Sequence, residues 1–247
     1  RLDEMTYSYD GNRLLSIADA GPDNLPAGVT HFIDNVVDQA VEYSYDANGN
    51  MIQDNNKGLT ATYNLANKPT EVDMGNGKKI RFFYLADGTK IRKEADDNGT
   101  ITTTHYLGGF QYENAGNGSE LLHFSHEEGR VVFNASGPQH FDLQYRLADH
   151  LGNTRILFRE DPADAGETEV LQEQAYYPFG MTMAEGNLPV SSPADQYQYN
   201  GKEIQTEFGL GWMDYGARMY DASVGRWNGV DPLAEERSSL SSYNFVQ

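Results

Sequence analysis

Tyr43-Ser44-Tyr45-Asp46-Ala47-Asn48-Gly49-Asn50-Met51-Ile52 is the stretch that decides the fold. An alternating segment ends in Tyr-x-Tyr-Asp, an Asn/Gly pair turns the chain, and a second apolar segment follows, which is the pattern of a β-hairpin. Alternation places the rings of Tyr43 and Tyr45 on one face. Asp and Asn tolerate the left-handed backbone of a tight turn, and Gly adopts it freely. The pattern nearly recurs at Tyr7-Ser8-Tyr9-Asp10-Gly11-Asn12-Arg13-Leu14. Looser copies follow at 61–68, 82–91 and 104–109. From Tyr45 onward the anchor tyrosines Tyr45, Tyr63, Tyr84 and Tyr106 lie about 20 residues apart. The interval from Tyr9 to Tyr45 is about twice that, as if the stretch around His31-Phe32-Ile33 replaced one unit.

A single two-stranded hairpin is marginal in water, so successive hairpins are expected to pair edge to edge in one long sheet. The fold class this predicts is all-β, mainly antiparallel, with the tyrosines laddered on one another along the sheet. Asn76-Gly77, Asp87-Gly88, Asn98-Gly99 and Asn117-Gly118 mark further turns.

Composition agrees and narrows function. The 247 residues suffice for one large or two small domains. Only 38% are hydrophobic, while Tyr (16) and Gly (25) are abundant, which favours strands and tight turns over helices. The net charge of -19 has no basic cluster to set against phosphates, so nucleic acid is excluded as a partner, and an anionic membrane surface would repel the chain. With no cysteine there is no disulfide, thiolate metal site or thiol nucleophile. No apolar run approaches the length of a membrane span. The chain opens inside a repeat-like segment without a signal peptide and stops soon after Tyr243, so it is expected to be a fragment.

Past about residue 145 the tyrosine register is lost, which divides the chain into a repeat segment, 1–145, and a second segment, 146–247. Four motifs follow in order there: Asp149-His150-Leu151-Gly152-Asn153-Thr154-Arg155, Tyr176-Tyr177-Pro178-Phe179-Gly180-Met181, Tyr197-Gln198-Tyr199-Asn200-Gly201-Lys202-Glu203, and Gly209 to Trp227 closed by Asp231-Pro232. A strand is expected over 156–158, an acidic surface loop over 160–167 and another loop over 187–193. Asp231, as N-cap with Pro232 in the first turn, is the best helix start in the chain.

These motifs, with the repeats before them, resemble the Rhs, or YD-repeat, family, the second segment being similar to its Rhs-associated core. The wording Tyr-Pro-Phe-Gly-Met and Asp-Pro-Leu-Ala-Glu is similar to Bacteroidota versions. The resemblance implies a spiralling, curved sheet that closes into a hollow shell, with the core as its seal and a short helix in that core. It implies encapsulation of a C-terminal effector or toxin, and a core that cuts the polypeptide just downstream as an aspartyl-type autoprotease using two aspartates and an arginine. On the motif, the arginine maps onto Arg218 and the first aspartate onto Asp231. The second aspartate belongs to a later Asp-Pro element absent from these residues, so only half of a catalytic site is expected and the fragment by itself should cut nothing. The partners implied are the C-terminal effector in cis, the preceding YD repeats and secretion-system components, and the location implied is secreted or cell-surface.

The chemistry needs a carboxylate pair, because two close carboxylates do not both ionise and the one that keeps its proton serves as acid while the other activates water. A guanidinium beside them orients a carboxylate or steadies a developing oxyanion. Plainer readings stand alongside: Asp231 as a helix cap, Arg218 in a buried ion pair or stacked on Tyr220 or Trp212, Arg226 as a structural arginine, Asp214 and Asp221 as turn residues. No cofactor or metal site is expected. His123 and His126 would fall on opposite faces of a strand, and the calcium-loop-like start at Asp46 has Lys57 at its twelfth position. The serines of 238–242 read as loop. The rival function is a cell-surface adhesion or glycan-binding module, which predicts a flat tyrosine platform open to solvent.

Overall fold

Among the described residues every strand pairs antiparallel, and only with strands next to it in sequence. The structure, a computed structural model, describes residues 3–22, 30–36, 39–114, 116, 118–134, 140–183, 194–237 and 239–245. The loop expected over 187–193, Asn117 and Ser238 lie outside the described residues. Strands β1 (Met5–Asp10) and β2 (Arg13–Asp19) form a separate hairpin. Thirteen strands then build one sheet in strict sequence order. They are β3 (Tyr43–Tyr45), β4 (Met51–Asp54), β5 (Leu59–Tyr63), β6 (Pro69–Asp73), β7 (Lys78–Tyr84), β8 (Lys90–Asp97) and β9 (Thr100–Leu107). After them come β10 (Phe110–Asn114), β11 (Glu120–His126), β12 (Gly129–Phe133), β13 (Phe141–Ala148), β14 (Thr154–Glu160) and β15 (Thr168–Glu173). A smaller four-stranded sheet holds β16 (Glu203–Gln205), β17 (Trp212–Asp214), β18 (Met219–Asp221) and β19 (Arg226–Trp227). The all-β, mainly antiparallel fold expected from the hairpin pattern is the fold observed.

One turn recurs. At Asp46 the backbone N–H donates to the Asn50 carbonyl (2.9 Å) and the Gly49 N–H returns to the Asp46 carbonyl (3.1 Å). The same two bonds close 64–68, 85–89, 149–153, 177–181 and 198–202. In each the fourth residue has positive φ: Gly49, Asn67, Gly88, Gly152, Gly180 and Gly201. This is the three-residue hairpin loop whose left-handed residue makes a bulge. The pairing accordingly slips beside Tyr45, Tyr63, Tyr84 and Ala148. The tyrosine register ends near residue 145, but the turn chemistry does not. Asp46 and Asp149 each accept two backbone N–H groups with one oxygen and an Asn side chain with the other.

The core lies between the hairpin, strands β3 to β7 and the small sheet. Leu14, Ile17, Phe32, Tyr43, Leu59, Val72, Ile80, Leu210 and Trp212 are buried together there. A tyrosine ladder does not form. Tyr45, Tyr63 and Tyr84 pack into this cluster instead. Tyr63 donates to the Met51 carbonyl (2.7 Å), and the ring partner of Tyr45 is Tyr243, at 5.5 Å. A second cluster joins Tyr199, Met213 and Tyr220 to Tyr176, Trp227 and Phe245, with the Tyr220 and Phe245 rings stacked 3.9 Å apart.

From β8 to β15 the sheet inverts the usual pattern. Its covered face is largely polar: Lys93, Gln111, His123, Arg130, Gln144 and Gln172 are all buried, with Val132 and Leu157 among them. Register places Phe141, Leu143 and Leu147 of β13 on the other face, where each is about half exposed. Phe110 and Phe124 pair on that face too, with centroids 5.0 Å apart. Apart from His123 Nδ1, which is buried without a partner, these polar groups are satisfied by hydrogen bonds, because a desolvated donor left without an acceptor costs more than a hydrogen bond returns. Arg130 Nε donates to Gln144 Oε1 (2.8 Å), and the wholly buried Asp195 is held by the Arg146 guanidinium and by Gln172 Oε1, which accepts its N–H (2.9 Å).

The expected helix after Asp231 is smaller than its cap suggests. A single 3₁₀ turn, Ala234–Arg237, is all that forms. Asp231 Oδ1 accepts the Leu233 N–H at 2.9 Å and its carbonyl accepts the Ala234 N–H at 2.9 Å, so the cap is present. The turn buries none of its side chains, and a short helix without an apolar face gains nothing from propagation.

Candidate functional site

The run Tyr215-Gly216-Ala217-Arg218 turns between β17 and β18. Gly216 takes φ +82°, its N–H caps Asp214 Oδ1 at 2.8 Å, and the Tyr215 N–H reaches the Arg218 carbonyl at 3.1 Å. That turn delivers Arg218 beside the chain leaving β19. Asp231 is fixed there by its N–H, which donates to the Ser242 carbonyl at 2.9 Å. Arg218 Nη2 donates to Asp231 Oδ2 at 3.2 Å, so the structure brings together the two residues singled out in the motif. The guanidinium lies over the Trp227 ring, 4.2 Å from its centroid, rather than over Tyr220 or Trp212.

Both groups are mostly covered, with 15% and 21% of their side chains exposed. Burial pulls the Arg218 pKa down, and Asp231 works against it. Arg218 Nη1 is buried without a hydrogen-bond partner. The pair therefore offers one oriented carboxylate and one spare guanidinium donor. Among the described residues no second carboxylate is hydrogen-bonded to either, so these residues do not by themselves assemble the acid–base couple that hydrolysis needs.

Asp214 and Asp221 do more than turn the chain. Asp214 Oδ2 and Glu203 Oε2 each lie 2.6 Å from Lys90 Nζ, which reaches across from β8. Lys93 adds contacts to Glu207 (2.5 Å) and Gln205 (3.0 Å), and the Tyr106 hydroxyl donates to Glu203 Oε1 (2.7 Å). Burial opposes the charge on Glu203, but Lys90 and Lys93 overcome it and hold its pKa down to about 2. Asp221 receives Lys57 Nζ at 2.5 Å at the wall of a cavity of about 300 Å³ between the two sheets. Asp54 lines that cavity, and burial first, then Asp221, push its carboxyl up to about 6. The Tyr43 hydroxyl, buried beside them, makes no hydrogen bond. Sequence reasoning missed these clusters because the partners that meet across the two sheets lie about a hundred or more residues apart.

Arg226 is structural, as expected. It donates to the Asn12 carbonyl (2.6 Å) and stacks against Tyr9 and Tyr243. His123 and His126 point to opposite faces of β11, and burial, with Arg130 adding to it, lowers the His123 pKa to about 4.

Solved structures share this architecture. The crystal structure of TcdB2-TccC3-Cdc42 matches 98% of this chain with a TM-score of 0.70 and 21% identity. The Tc holotoxin pore of Photorhabdus luminescens, with an aspartate of TccC3 replaced by alanine, matches 98% with a TM-score of 0.71 and 20% identity. The fold is that of a stretch of TcdB2-TccC3. The chain spans only 13% and 12% of those two chains. Over 93 residues, 37% of this chain and 2% of the relative, it is 31% identical to Salivary gland surface protein 1 of Aedes aegypti. No protein-family model matches.

Proposed function

We propose that this chain is a section of the wall and seal of a β-shell of the Rhs, or YD-repeat, type that encloses a C-terminal effector. Residues 1–145 supply repeat hairpins. Residues 146–247 finish the wall with β14 and β15, then cross to the small sheet as the core. The observation that carries the reading is the long meander with a second sheet locked onto it by Lys57, Lys90 and Lys93; the fold, over 98% of the chain, is similar to that of TcdB2-TccC3. The half-exposed apolar residues of β13 also fit it, since isolated soluble domains seldom leave such a face bare and the rest of a shell would cover it.

The core also contributes to self-cleavage that frees the cargo. In this reading Asp231 is one of two catalytic carboxylates and Arg218 orients it, its free Nη1 facing the scissile carbonyl. The second aspartate comes from polypeptide beyond this chain. The effector in cis, the preceding repeats and a secretion machinery are its partners, and the assembly acts outside the cell that makes it. The adhesion alternative would have the tyrosines as a solvent-facing platform; Tyr43, Tyr45, Tyr63 and Tyr84 packed against the core favour containment.

Expression of the full open reading frame tests the proposal. A C-terminal fragment should appear on a gel, and Asp231→Asn or Arg218→Ala should each abolish it. Release by both variants would remove Asp231 and Arg218 from the site.

A further inference from the structure

The first hairpin ends in an arrangement the shell does not require. Asp3 precedes β1 and Asp19 closes β2. The pairing of Met5 with Asp19 sets the two carboxylates side by side. His31 comes over them from the segment that precedes β3. One ligand atom from each of Asp3, Asp19 and His31 falls within 4.8 Å of the others.

Close carboxylates repel, and the pair is only partly compensated. Asp19 Oδ1 accepts the N–H groups of Glu4 (2.7 Å) and Gly21 (2.8 Å), which fixes its plane. Asp3 Oδ1 is buried without a hydrogen-bond partner of its own, and the backbone of Phe32 is the one hydrogen-bonding group that helps to hold the carboxylate's charge. The nearest charge complement is His31 Nδ1, at 3.7 Å, too far for a hydrogen bond and charged only when protonated. A desolvated carboxylate oxygen without a donor is costly. An acceptor with no proton to meet, a second carboxylate and an imidazole nitrogen around one point are instead the donors of a cation site.

We propose that Asp3, Asp19 and His31 bind a divalent first-row transition-metal ion. Two oxygens and one imidazole nitrogen suit manganese, iron or zinc better than calcium, which takes oxygens alone, and water completes the shell. The ion clips the start of β1, the end of β2 and the following segment to one point. The hairpin belongs to neither of the larger sheets, so the clip adds to the core packing of Leu14 and Ile17. His31 also lines the cavity that holds Asp54 and Lys57, so the ion would sit at its rim. Composition gives no hint of the site, because its three ligands are scattered among other acids and histidines.

The test uses the 247-residue chain, stripped with chelator and titrated with Mn²⁺ under electron paramagnetic resonance. One saturable site is expected, with a nitrogen coupling from the imidazole in pulsed spectra. His31→Ala should erase the nitrogen coupling, and both it and Asp19→Asn, which remove direct ligands, should weaken binding by at least the about 10–100-fold that loss of an outer-shell partner costs. Asparagine keeps the acceptor for Glu4 and Gly21, so Asp19→Asn leaves the hairpin end intact, and circular dichroism checks both variants. A chain carrying -19 also gathers cations loosely. Weak binding without a nitrogen coupling, or an isotherm unchanged in His31→Ala, would overturn the proposal.

Discussion

Lys90 on β8 and Glu203 on β16 meet at 2.6 Å, with only 10% and 5% of their side chains exposed, across the junction of the two sheets. Such a pair is a poor source of net stability but a costly thing to break, because the surviving charge stays buried. Lys90→Met should therefore destabilise the chain by about 3–5 kcal/mol, measured as a fall in the urea midpoint. The double variant Lys90→Met/Glu203→Gln should recover part of the loss.

Acid should act on the same junction. Glu203 sits at about 2 in the folded chain against an ordinary 4.5, so its contribution is full above pH 4.5 and disappears as pH falls from there through about 2. The gap corresponds to about 3 kcal/mol. His123, lowered from 6.5 to about 4, also removes stability as pH falls, between those two values. Asp54 has the opposite sign. Raised from 3.8 to about 6, it costs stability at neutral pH and returns it as pH falls through that window. Asp54→Asn should thus stabilise the chain at pH 7.5 by about 1–3 kcal/mol and lose that advantage near pH 4, which urea melts at the two pH values will show.

Gly180 illustrates a glycine required twice over. Its φ is +90°, and an added Cβ would collide with the Tyr199 ring. Gly166 has a similar φ of +97° with open space around it. Gly166→Ala should cost about 1 kcal/mol from backbone strain alone, and Gly180→Ala at least about 2 kcal/mol more. Thermal melts of the two variants separate the terms.

The recurrent turn predicts an equivalence between distant positions. Asp46→Ala and Asp149→Ala remove the same set of acceptors from the same loop, so each should lower stability by about 1–2 kcal/mol. Substantially different losses in urea unfolding would mean that the two loops are alike only in outline.

That equivalence also marks how far the sequence can be read. Hairpin identity was legible wherever Asn or Gly marked a turn, because few other residues accept that backbone. A comparison keyed on tyrosine stops near residue 145, whereas the conserved physics is the positive-φ residue fourth in each loop, which Gly152, Gly180 and Gly201 continue. The Arg218–Asp231 pair was legible because both residues fall within one motif. The inverted sheet and the lysine latches were not. Lys57 and Asp221 are 164 residues apart, and nothing local says that Gln144 or Arg130 will be inside while Leu143 is out. Burial of polar residues depends on a partner segment that periodicity does not reveal.

The strict order of the meander bears on when the molecule becomes itself. Thirteen strands that each join the one just before can zip up progressively as a polypeptide lengthens, since every step closes a short loop. The bolts that fasten the ends are different: Tyr243 reaches back to the Gly49 carbonyl and Arg226 to that of Asn12. They wait for residues 226–243 to appear. The meeting of Arg218 with Asp231 is thereby postponed until the long sheet already stands.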